Sequence, residues 1–452
     1  MKFANLDAAL AQLKEKNIAV LGLGVSNRPL VRLLLEAGCR VSGCDRTPRE
    51  KLDAEVLALE ALGCELHLGG GYLDGVQADV VFRTPGMHPD QPGIRALREN
   101  GAEVTSEMEL FFRVCPCKIL AVTGSDGKTT TTSLIAAMLQ AQGHKVWLGG
   151  NIGTPLLPLV REMKDTDIAV VELSSFQLMD MHYSPSVAVI TNLAPNHLDV
   201  HKDMAEYVWA KENIFRYQTE EDTLILNGDN TITDGFCGAG VIRKFSRKQR
   251  TDGLWEQDGM IWREDVPVLK TADILIPGDH NIENYMAAIL AVEGLVADET
   301  IRHVAKTFGG VEHRIELVRV KDGIRFYNDS IASSPSRTIA GLRSFPQKVI
   351  LIAGGYDKNI PFDELGPEIR KHVKKLYLGG ATGPKIRAAV ESCVGDEVAI
   401  MDCGNFEAAV RAAAAGAGDG DVVLMSPASA AFDQFKNFMV RGDFYKKLVM
   451  EL

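Results

Sequence analysis

The sequence has no apolar run of the length that crosses a bilayer. Its first residues, MKFANLDAALAQLKEKN, also contain no apolar core of the kind found in signal peptides. We therefore expect a protein of the cytoplasm without membrane insertion.

Long basic runs are missing as well, and the net charge is −11. This argues against nucleic acid or an anionic membrane as the main partner, although a locally basic phosphate site is compatible with it. The eight cysteines are scattered, and only Cys115 and Cys117 lie close together. No second pair completes a zinc site, so we interpret them as free thiols in a reducing compartment. The length of 452 residues predicts several globular domains in what we expect to be a monomer.

The strongest motif lies in residues 118–142, KILAVTGSDGKTTTTSLIAAMLQAQ. An apolar strand, a glycine turn and a periodic helix follow one another, which is the context of a phosphate-binding loop. Lys128 would reach the phosphates and Thr129 would ligate Mg²⁺. The loop is two residues shorter than G-x-x-x-x-G-K-[ST], and an ordinary glycine-rich turn is the alternative. We favour a nucleoside triphosphate site.

A second strand–turn–helix–strand unit occupies residues 17–45. Its turn contains Gly22 and Gly24, and Asp45 ends the following strand. This nearly matches the dinucleotide fingerprint, but Asn27 stands at the third glycine position. The turn binds a nucleotide or sugar nucleotide, or it belongs to a scaffold that binds nothing. The turn of Thr84, Pro85 and Gly86 follows another strand and fits the ligand edge of the same sheet.

Chemically active residues also follow the predicted strands of the middle region. Glu172 ends one strand, and His197 and Asp199 follow the next in NLAPNHLDVH. We interpret Glu172 and His197 as magnesium ligands near a triphosphate, although histidine is an unusual ligand for this ion. The alternatives are a solvated carboxylate at position 172 and a zinc site in the HxDxH run, which lacks a second ligand cluster.

The remaining motifs lie toward the C-terminus. Asn281 and Asn284 are one turn apart at the start of a predicted helix and are suited to an adenine edge or a ribose, or to capping that helix. A further α/β unit follows, in which strands end at glycine or serine turns. Arg314 and Asp329 are its candidates for nucleotide contacts.

Together these motifs resemble the Mur ligase family. The matching runs occur in the same order along nearly the whole chain: TGSDGKTT, GGNIG, ELSSFQL, NHLD, HNIEN, EHR, NDS and DQFKNFMVRGDF. The resemblance implies an α/β protein with three domains. A Rossmann-like domain at residues 1–106 would bind a UDP substrate. A central P-loop ATPase-like domain with a mostly parallel sheet would span 107–311, and a Rossmann-like C-terminal domain at 312–452 would bind an amino acid.

The resemblance also implies an activity. The chain would use ATP as a substrate and Mg²⁺ as a cofactor to add D-glutamate to UDP-N-acetylmuramoyl-L-alanine, through an acyl phosphate, in peptidoglycan precursor synthesis. The catalytic residues would be Lys128, Glu172, His197 and Lys211. The metal would be held by Thr129, Glu172, His197 and Lys211, the last as a carbamate.

By matched position, the resemblance assigns three groups of binding residues. Contacts to ATP would come from Gly124, Ser125, Asp126, Gly127, Lys128, Thr129, Thr130, Asn281, Asn284, Arg314 and Asp329. Contacts to the UDP substrate would come from Gly22, Leu23, Gly24, Val25, Ser26, Asp45, Arg46, Thr84, Pro85, Gly86, Asn151, Ser174 and Gln177. Contacts to the amino acid would come from Ser333, Lys358, Ala431, Phe432 and Phe438.

Two positions depart from the family pattern in the third domain. The NDS motif continues with Ile331-Ala332-Ser333 where many relatives have Lys-Ala-Thr, and Ala431-Phe432 stands where relatives often carry a serine. A cation and a hydroxyl are therefore missing from the expected amino-acid pocket.

Three other functions fit the sequence less well. A different ATP-dependent amide ligase, such as another Mur ligase or a folylpolyglutamate synthase, fits less well with ELSSFQL and with the GLG start. A regulatory nucleotide-binding protein has no need for Glu172, His197 and Lys211 together. An NAD-dependent dehydrogenase leaves the second glycine loop unexplained.

Overall fold

The computed structural model describes residues 3–196 and 200–452. The chain forms two compact units, one of Met1–Lys270 with Glu283–Val304 and one of Thr271–Ile282 with Ala305–Leu452. Three β-sheets are present in the described residues, two in the first unit and one in the second. Among the same residues, no helix combines the length and apolar character needed to span a membrane.

The first sheet has five parallel strands in the order β3-β2-β1-β4-β5. They are β1 (Asn17–Leu21), β2 (Arg40–Asp45), β3 (Glu65–Leu68), β4 (Val80–Arg83) and β5 (Glu103–Thr105). The helices of this region are α1 (Leu6–Lys14), α2 (Asn27–Glu36), α3 (Ala54–Ala61), α4 (Pro92–Glu99) and α5 (Glu107–Val114). Because the strand order reverses at β1, the turn after β1 lies where ligands bind in such sheets.

The second sheet has nine strands in the order β14-β13-β12-β11-β10-β9-β6-β8-β7. They are β6 (Lys118–Thr123), β7 (Val146–Gly150), β8 (Ile168–Glu172), β9 (Val187–Ile190), β10 (Thr223–Asn227), β11 (Val241–Ser246), β12 (Leu254–Gln257), β13 (Met260–Arg263) and β14 (Val266–Lys270). Strands β12 to β14 form an antiparallel meander, and the other pairings are parallel. Five helices accompany it: α6 (Lys128–Gln142), α7 (Ser175–Leu178), α8 (Met204–Glu212), α9 (His280–Ala291) and α10 (Asp298–Thr307).

The apolar runs explain the parallel strands. Every residue of β8 is buried, as expected for a strand covered on both faces. One continuous hydrophobic cluster extends from Leu10 through Phe82 and Phe111 to Leu226, and it therefore includes residues of both sheets. This shared core accounts for the two sheets forming one unit.

The third sheet has six strands in the order β15-β16-β20-β17-β18-β19, parallel except for the β15–β16 pair. They are β15 (Glu316–Lys321), β16 (Ile324–Asn328), β17 (Val349–Ala353), β18 (Val373–Gly379), β19 (Ala399–Gly404) and β20 (Val422–Met425). The helices are α11 (Pro335–Arg343), α12 (Leu365–His372), α13 (Gly383–Glu391), α14 (Phe406–Ala415) and α15 (Phe438–Glu451). Alternating residues of β17 contribute to two hydrophobic clusters, one on each face of the sheet.

The predicted α/β class is confirmed, with parallel pairings dominating all three sheets. The two strands expected within residues 17–45 are β1 and β2, and the strand expected before Thr84 is β4. The strand expected at the start of residues 118–142 is β6, and the strand that ends at Glu172 is β8. The helix predicted to begin near Asn281 and Asn284 is α9 (His280–Ala291).

Candidate active site

The glycine loop joins β6 to the 15-residue helix α6, and β6 lies between β8 and β9. Gly124 and Gly127 have φ angles of +148° and +77°, in the region that favours glycine. A side chain at Gly124 would collide with the Thr191 hydroxyl, and one at Gly127 would collide with the Asn284 side chain. Both glycines are therefore required by backbone conformation and by close packing, which is typical of a phosphate-binding loop.

Residues that follow β9 fix the shape of this loop. The backbone N–H of Asp126 donates to Asn192 Oδ1 (2.9 Å), and that of Ser125 donates to the Asn192 carbonyl (2.9 Å). The Thr191 hydroxyl donates to the Asp126 carbonyl (2.5 Å). Sequence reasoning missed Asn192, although its position just beyond a buried strand was a usable signal.

Two lysines converge on one carbonyl of the loop. Lys128 Nζ donates to the carbonyls of Gly124 (3.0 Å) and Ser125 (2.9 Å). Lys211, which is 1% exposed, donates to the same Gly124 carbonyl (2.9 Å) and to Thr123 Oγ1 (3.1 Å). Burial, and then the charge of Lys128, hold the Lys211 pKa well below its usual range. Lys211 therefore lies at the base of the loop, beside the residue predicted to bind phosphate.

Glu172 is the fully buried last residue of β8, and it lies in register with Val122 of β6. Its Oε1 accepts a hydrogen bond from Asn151 Nδ2 (2.8 Å). Its Oε2 is buried and has no hydrogen-bond partner among residues 3–196 and 200–452. A buried carboxylate oxygen without a donor is suited to a cation. Thr129 is partly buried in the first turn of α6, whereas His197 and Asp199 lie outside the described residues.

A cleft of about 320 Å³ lies beside this region, within the first unit. Seven of the residues predicted to bind the UDP substrate line it: Gly24, Val25, Ser26, Thr84, Pro85, Asn151 and Gln177. Arg83, Ser106 and Glu107 also contribute to the lining, and none of the three was predicted to bind a ligand. The structure thus brings together the glycine turn after β1, the turn after β4 and two segments of the nine-stranded sheet.

The other residues predicted for this cleft either hold the nearby backbone in place or are exposed. Asp45 accepts hydrogen bonds from the backbone N–H groups of Leu23 (2.8 Å) and Thr47 (2.9 Å). Burial opposes ionisation, but these bonds outweigh it and lower the Asp45 pKa. A side chain at Gly22 would approach the Thr84 methyl group to 2.6 Å. Arg46 and Gly86 are exposed.

Ser174 and Gln177 form a reciprocal cap at the start of α7. The Ser174 hydroxyl and backbone N–H both donate to Gln177 Oε1 (2.9 Å each), while the Gln177 N–H donates to Ser174 Oγ (3.3 Å). This capping box orients the short helix. Of the two side chains, the amide nitrogen of Gln177 is the atom suited to bind a ligand.

Asn27 explains why the third glycine of the fingerprint can be absent. Its buried Nδ2 donates to the carbonyls of Gly22 (2.8 Å) and Leu21 (3.3 Å), which ties α2 to the glycine turn. Its Oδ1 is buried without a partner in the described chain, and the residue lines the cleft. The asparagine thus stabilises the turn through its side chain where the fingerprint relies on close packing.

Arg83 connects the two parts of the cleft. Its buried guanidinium donates through Nη1 to the carbonyls of Thr84 (3.3 Å) and Pro85 (3.3 Å) and through Nη2 to that of Phe176 (3.1 Å). Nε lies 3.4 Å from Asp180. Burial is the main cause that lowers the Arg83 pKa. The turn after β4 is thereby held against the segment after β8.

Glu107 opens α5 at the edge of the cleft. Its carboxyl group is buried, and its Oε1 has no hydrogen-bond partner within the part of the chain that the structure describes. Burial raises the Glu107 pKa from 4.5 to about 7, and a hydrogen bond from the Leu157 N–H opposes this only in part. The cleft therefore has a carboxyl group that changes charge near neutral pH.

Asn284 and Asn281 lie in different surroundings. Asn284 accepts a hydrogen bond from the Thr131 hydroxyl (3.3 Å) and lies directly beside Gly127. Asn281 belongs to the second unit, where its Nδ2 donates to the Pro277 carbonyl (2.7 Å). Ser125, also predicted to contact ATP, donates through its hydroxyl to the Ala194 carbonyl (2.9 Å).

The second unit holds the remaining predicted residues at the ends of neighbouring parallel strands. Asp329 follows β16 and accepts hydrogen bonds from Ser426 Oγ (2.7 Å), which follows β20, and from the Ile315 N–H (3.3 Å). Burial raises the Asp329 pKa to about 7. Arg314 precedes β15, and its backbone N–H donates to the Val311 carbonyl.

The residues predicted to bind the amino acid differ in exposure. Ala431 is buried and Ser333 and Phe438 are partly buried, whereas Lys358 and Phe432 are exposed. The Phe432 ring meets that of Tyr356 edge to face, with centroids 5.9 Å apart. The loops after β16, β17 and β20 contain Ser333, Lys358, Ala431 and Phe432, and these loops emerge at one edge of the sheet.

Comparison with known proteins assigns the chain to a family. A model described as the Mur ligase middle domain matches residues 122–292, and one described as the Mur ligase glutamate ligase domain matches residues 313–429. A protein of Acetivibrio thermocellus named UDP-N-acetylmuramoylalanine–D-glutamate ligase is 53% identical over an alignment of 451 positions, and the alignment covers 97% of each chain. This chain belongs to the Mur ligase family. The resemblance inferred from its motifs is confirmed.

Other members of the Mur ligase family agree with this assignment. A Clostridium botulinum (strain Hall) protein with the same name is 47% identical over 97% of this chain and 98% of its own. A crystal structure of UDP-N-acetylmuramate–alanine ligase from Thermotoga maritima matches 96% of this chain and 99% of its own, with a TM-score of 0.57 and 18% identity. That likeness concerns the fold alone, and it extends over all three sheets. As a Mur ligase, the chain is an ATP-dependent enzyme.

Proposed function

We propose that this chain joins D-glutamate to UDP-N-acetylmuramoyl-L-alanine at the expense of ATP, in peptidoglycan precursor synthesis. The observation that carries the proposal is the full-length similarity, at 46–53% identity, to enzymes that bear this activity as their name. With it we propose the domain division 1–106, 107–311 and 312–452, for UDP substrate, ATP and amino acid respectively. We also propose that the enzyme is cytoplasmic and monomeric.

The phosphate loop supports the first step. The N-terminus of α6 directs its dipole toward bound phosphates, and Lys128 exchanges the carbonyls of Gly124 and Ser125 for phosphate oxygens. The L-alanyl carboxylate then attacks the γ-phosphoryl group, because hydroxide is too poor a leaving group for direct amide formation. The bond between the γ-phosphorus and the bridging oxygen breaks, so the products are an acyl phosphate and ADP, and Lys128 offsets part of the charge that develops.

The residues present fit a magnesium ion. The unpartnered Oε2 of Glu172 and the Thr129 hydroxyl are oxygen ligands of the kind that Mg²⁺ prefers, and His197 and a carbamylated Lys211 would complete the set. A buried lysine with a lowered pKa is a nucleophilic amine, which favours the carbamate. When bound, the ion supplies positive charge that offsets repulsion between the carboxylate and the triphosphate.

The second step forms the amide. The amine of D-glutamate attacks the acyl carbon, and phosphate leaves from the tetrahedral intermediate. The protein's contribution is to orient the two reactants and to exclude water, which would hydrolyse the acyl phosphate. The UDP-substrate residues Asn151 and Gln177 would hold the muramoyl part near Glu172, since Asn151 already contacts that carboxylate.

The test is a reconstituted reaction with ATP, Mg²⁺, UDP-N-acetylmuramoyl-L-alanine and one amino acid. We expect phosphate release and a product heavier by one glutamyl residue with D-glutamate, and neither with L-lysine, meso-diaminopimelate or L-alanine. Turnover with one of those three and none with D-glutamate would move the chain to a different ligase. Product formation with no amino acid would contradict an amide ligase.

A matched pair of variants links the reaction to the proposed metal ligands. Glu172→Gln keeps the shape of the side chain but removes its charge, so we expect turnover to fall at least about 100-fold. Glu162→Gln changes an exposed glutamate of the same unit and should leave turnover unchanged. Equal activity of both variants would exclude Glu172 from the reaction.

A further inference from the structure

Arg441 is the most deeply buried cation of the second unit's described residues, at 1% exposure. It lies in the first turn of α15, in the run DQFKNFMVRGDF. Burying a guanidinium is costly unless its N–H groups are satisfied and its charge is compensated. The partners that Arg441 has therefore indicate what the residue does.

All four hydrogen bonds that the Arg441 side chain makes with residues 3–196 and 200–452 go to neutral groups. Nε donates to Ser330 Oγ (3.0 Å) and Nη2 to the Ser330 carbonyl (2.9 Å). Nη1 donates to the carbonyls of Ser429 and Ala430 (3.1 Å each). Asp433 and Asp329 act on it only from a longer distance, and burial lowers the Arg441 pKa to about 10. The hydrogen bonds are satisfied, whereas the positive charge is largely uncompensated.

These bonds hold together the loops that follow β16 and β20. Ser330 also donates through its hydroxyl to the Phe438 carbonyl (2.7 Å), which joins the start of α15 to the same point. The loop after β17 is attached through the Tyr356 N–H, which donates to the Ala430 carbonyl (2.8 Å). One guanidinium thus links three loops and a helix.

Gly355 shows how closely the third loop approaches. Its φ is +153°, and a side chain there would collide with the Ala430 carbonyl and come within 3.1 Å of Arg441 Nη1. Only glycine permits this packing. The loop after β17 is therefore pressed against the guanidinium.

The same loops carry the residues proposed for the amino acid. Ala431 and Phe432 directly follow Ala430, Ser333 lies three residues beyond Ser330, and Phe438 accepts the Ser330 hydrogen bond through its own carbonyl. Ile331 and Ala431 bring neither charge nor hydroxyl to this edge of the sheet. A substrate with two carboxylates needs hydrogen-bond donors or positive charge at this edge. Arg441 fixes the positions of the loops here and contributes a positive charge.

We propose that Arg441 is a positioning residue for the dicarboxylate amino acid: it holds the loops after β16, β17 and β20 in one arrangement and provides the positive charge that the acidic substrate compensates. The inference rests on the proposed function, since it takes D-glutamate as the substrate of that site. Arg441 touches no reacting group and acts through the loops that it holds.

The test compares Arg441→Met, which loses the charge and the hydrogen bonds, with Arg441→Lys, which keeps the charge but not the planar arrangement of donors. Lys447→Met is the matched control, because it removes an exposed cation from the same helix. For Arg441→Met we expect the KM for D-glutamate to rise on the order of 100-fold, with the KM values for ATP and the UDP substrate within twofold. Arg441→Lys should fall between the wild type and Arg441→Met, and Lys447→Met should match the wild type.

Two further readouts separate positioning from general structural support. The first is acyl phosphate formation without amino acid, trapped as a hydroxamate, which should be unchanged in every variant. The second is the preference in kcat/KM for D-glutamate over its neutral amide, D-glutamine. This preference should fall at least tenfold in Arg441→Met and persist in Arg441→Lys.

Several outcomes would overturn the inference. One is an unchanged KM for D-glutamate in Arg441→Met. Another is an equal rise in all three KM values together with a loss of hydroxamate formation. A third is an unaltered preference for D-glutamate over D-glutamine in Arg441→Met. If Arg441→Met does not fold, Arg441→Lys decides: an unchanged KM for D-glutamate, or an equal rise in all three KM values with loss of hydroxamate formation, would then overturn the inference. Failure of the wild type to turn over D-glutamate would instead refute the proposed function, so the two failures are distinguishable.

Discussion

Glu107 allows a quantitative prediction because its carboxyl group is buried and carries no compensating cation in the described structure. Its pKa in the folded protein is about 7, against an ordinary value of 4.5. In the window between these values the folded chain keeps a proton that the unfolded chain releases. Folding stability therefore falls as pH rises through this window, and the loss is complete above pH 7. At about 1.4 kcal/mol per tenfold change in proton affinity, the full loss is about 3 kcal/mol.

Glu107→Gln removes the titration while keeping the size of the side chain. Any constant cost of the amide cancels when the difference in unfolding free energy between variant and wild type is compared at several pH values. We expect this difference to move in favour of Glu107→Gln by about 2–3 kcal/mol between pH 5 and pH 8. Glu99→Gln, in an exposed position at the end of α4, is the control and should show a constant difference.

The assay is urea unfolding followed by tryptophan fluorescence. All four tryptophans, at positions 147, 209, 255 and 262, lie in the first unit, so the signal reports on the unit that contains Glu107. A pH-independent difference for Glu107→Gln would mean that the carboxyl group finds a charge partner or water in solution, and the reasoning from burial would be refuted.

Three further predictions concern the phosphate loop. Lys128→Ala should abolish turnover but leave binding of the UDP substrate intact by calorimetry; loss of that binding would contradict the proposed division of the site. Gly127→Ala should lose ATP binding, because a methyl group there collides with Asn284, whereas Gly143→Ala has a similar positive φ with open space around it and should cost only about 1 kcal/mol of stability. Lys211→Met should be more stable than the wild type in CO₂-free buffer at pH 7. This advantage should shrink as pH rises toward 10.5, because the unfolded chain binds the extra proton over that range; melting temperatures that differ by a constant amount would refute the lowered pKa.

Local patterns were enough to predict many of the strands and the glycine turn between β6 and α6. The apolar runs of β6, β8 and β17 correspond to strands covered on both faces, and their burial follows directly from composition. Gly124 and Gly127 could be recognised because a strand–turn–helix pattern restricts where glycine is needed. These features depend on neighbours within a few residues, so a single sequence contains them.

The interactions that complete the sites were beyond reach because their partners are distant in the chain. Arg83 reaches Phe176, 93 residues away, and Arg441 reaches Ser330, 111 residues away. A sequence presents both as ordinary surface cations, and only burial reveals their role. Asn27 and Asp45 illustrate a second limit, since polar residues at a ligand edge also serve to hold the backbone in place. Whether they also touch the ligand stays a prediction.

Lys128 of the glycine loop and Lys211 beside it influence each other's charge. Lys128 and Lys211 both place their side-chain nitrogen within 3.0 Å of the Gly124 oxygen. Two like charges so close oppose each other, and the charge of Lys128 is a cause of the low Lys211 pKa. In the proposed reaction, a triphosphate would draw Lys128 away from Gly124 and remove this repulsion, and loss of the Lys211 proton or its conversion to a carbamate would remove it too. We therefore expect nucleotide binding and the charge state of Lys211 to be coupled, so that each changes the equilibrium of the other by the same factor.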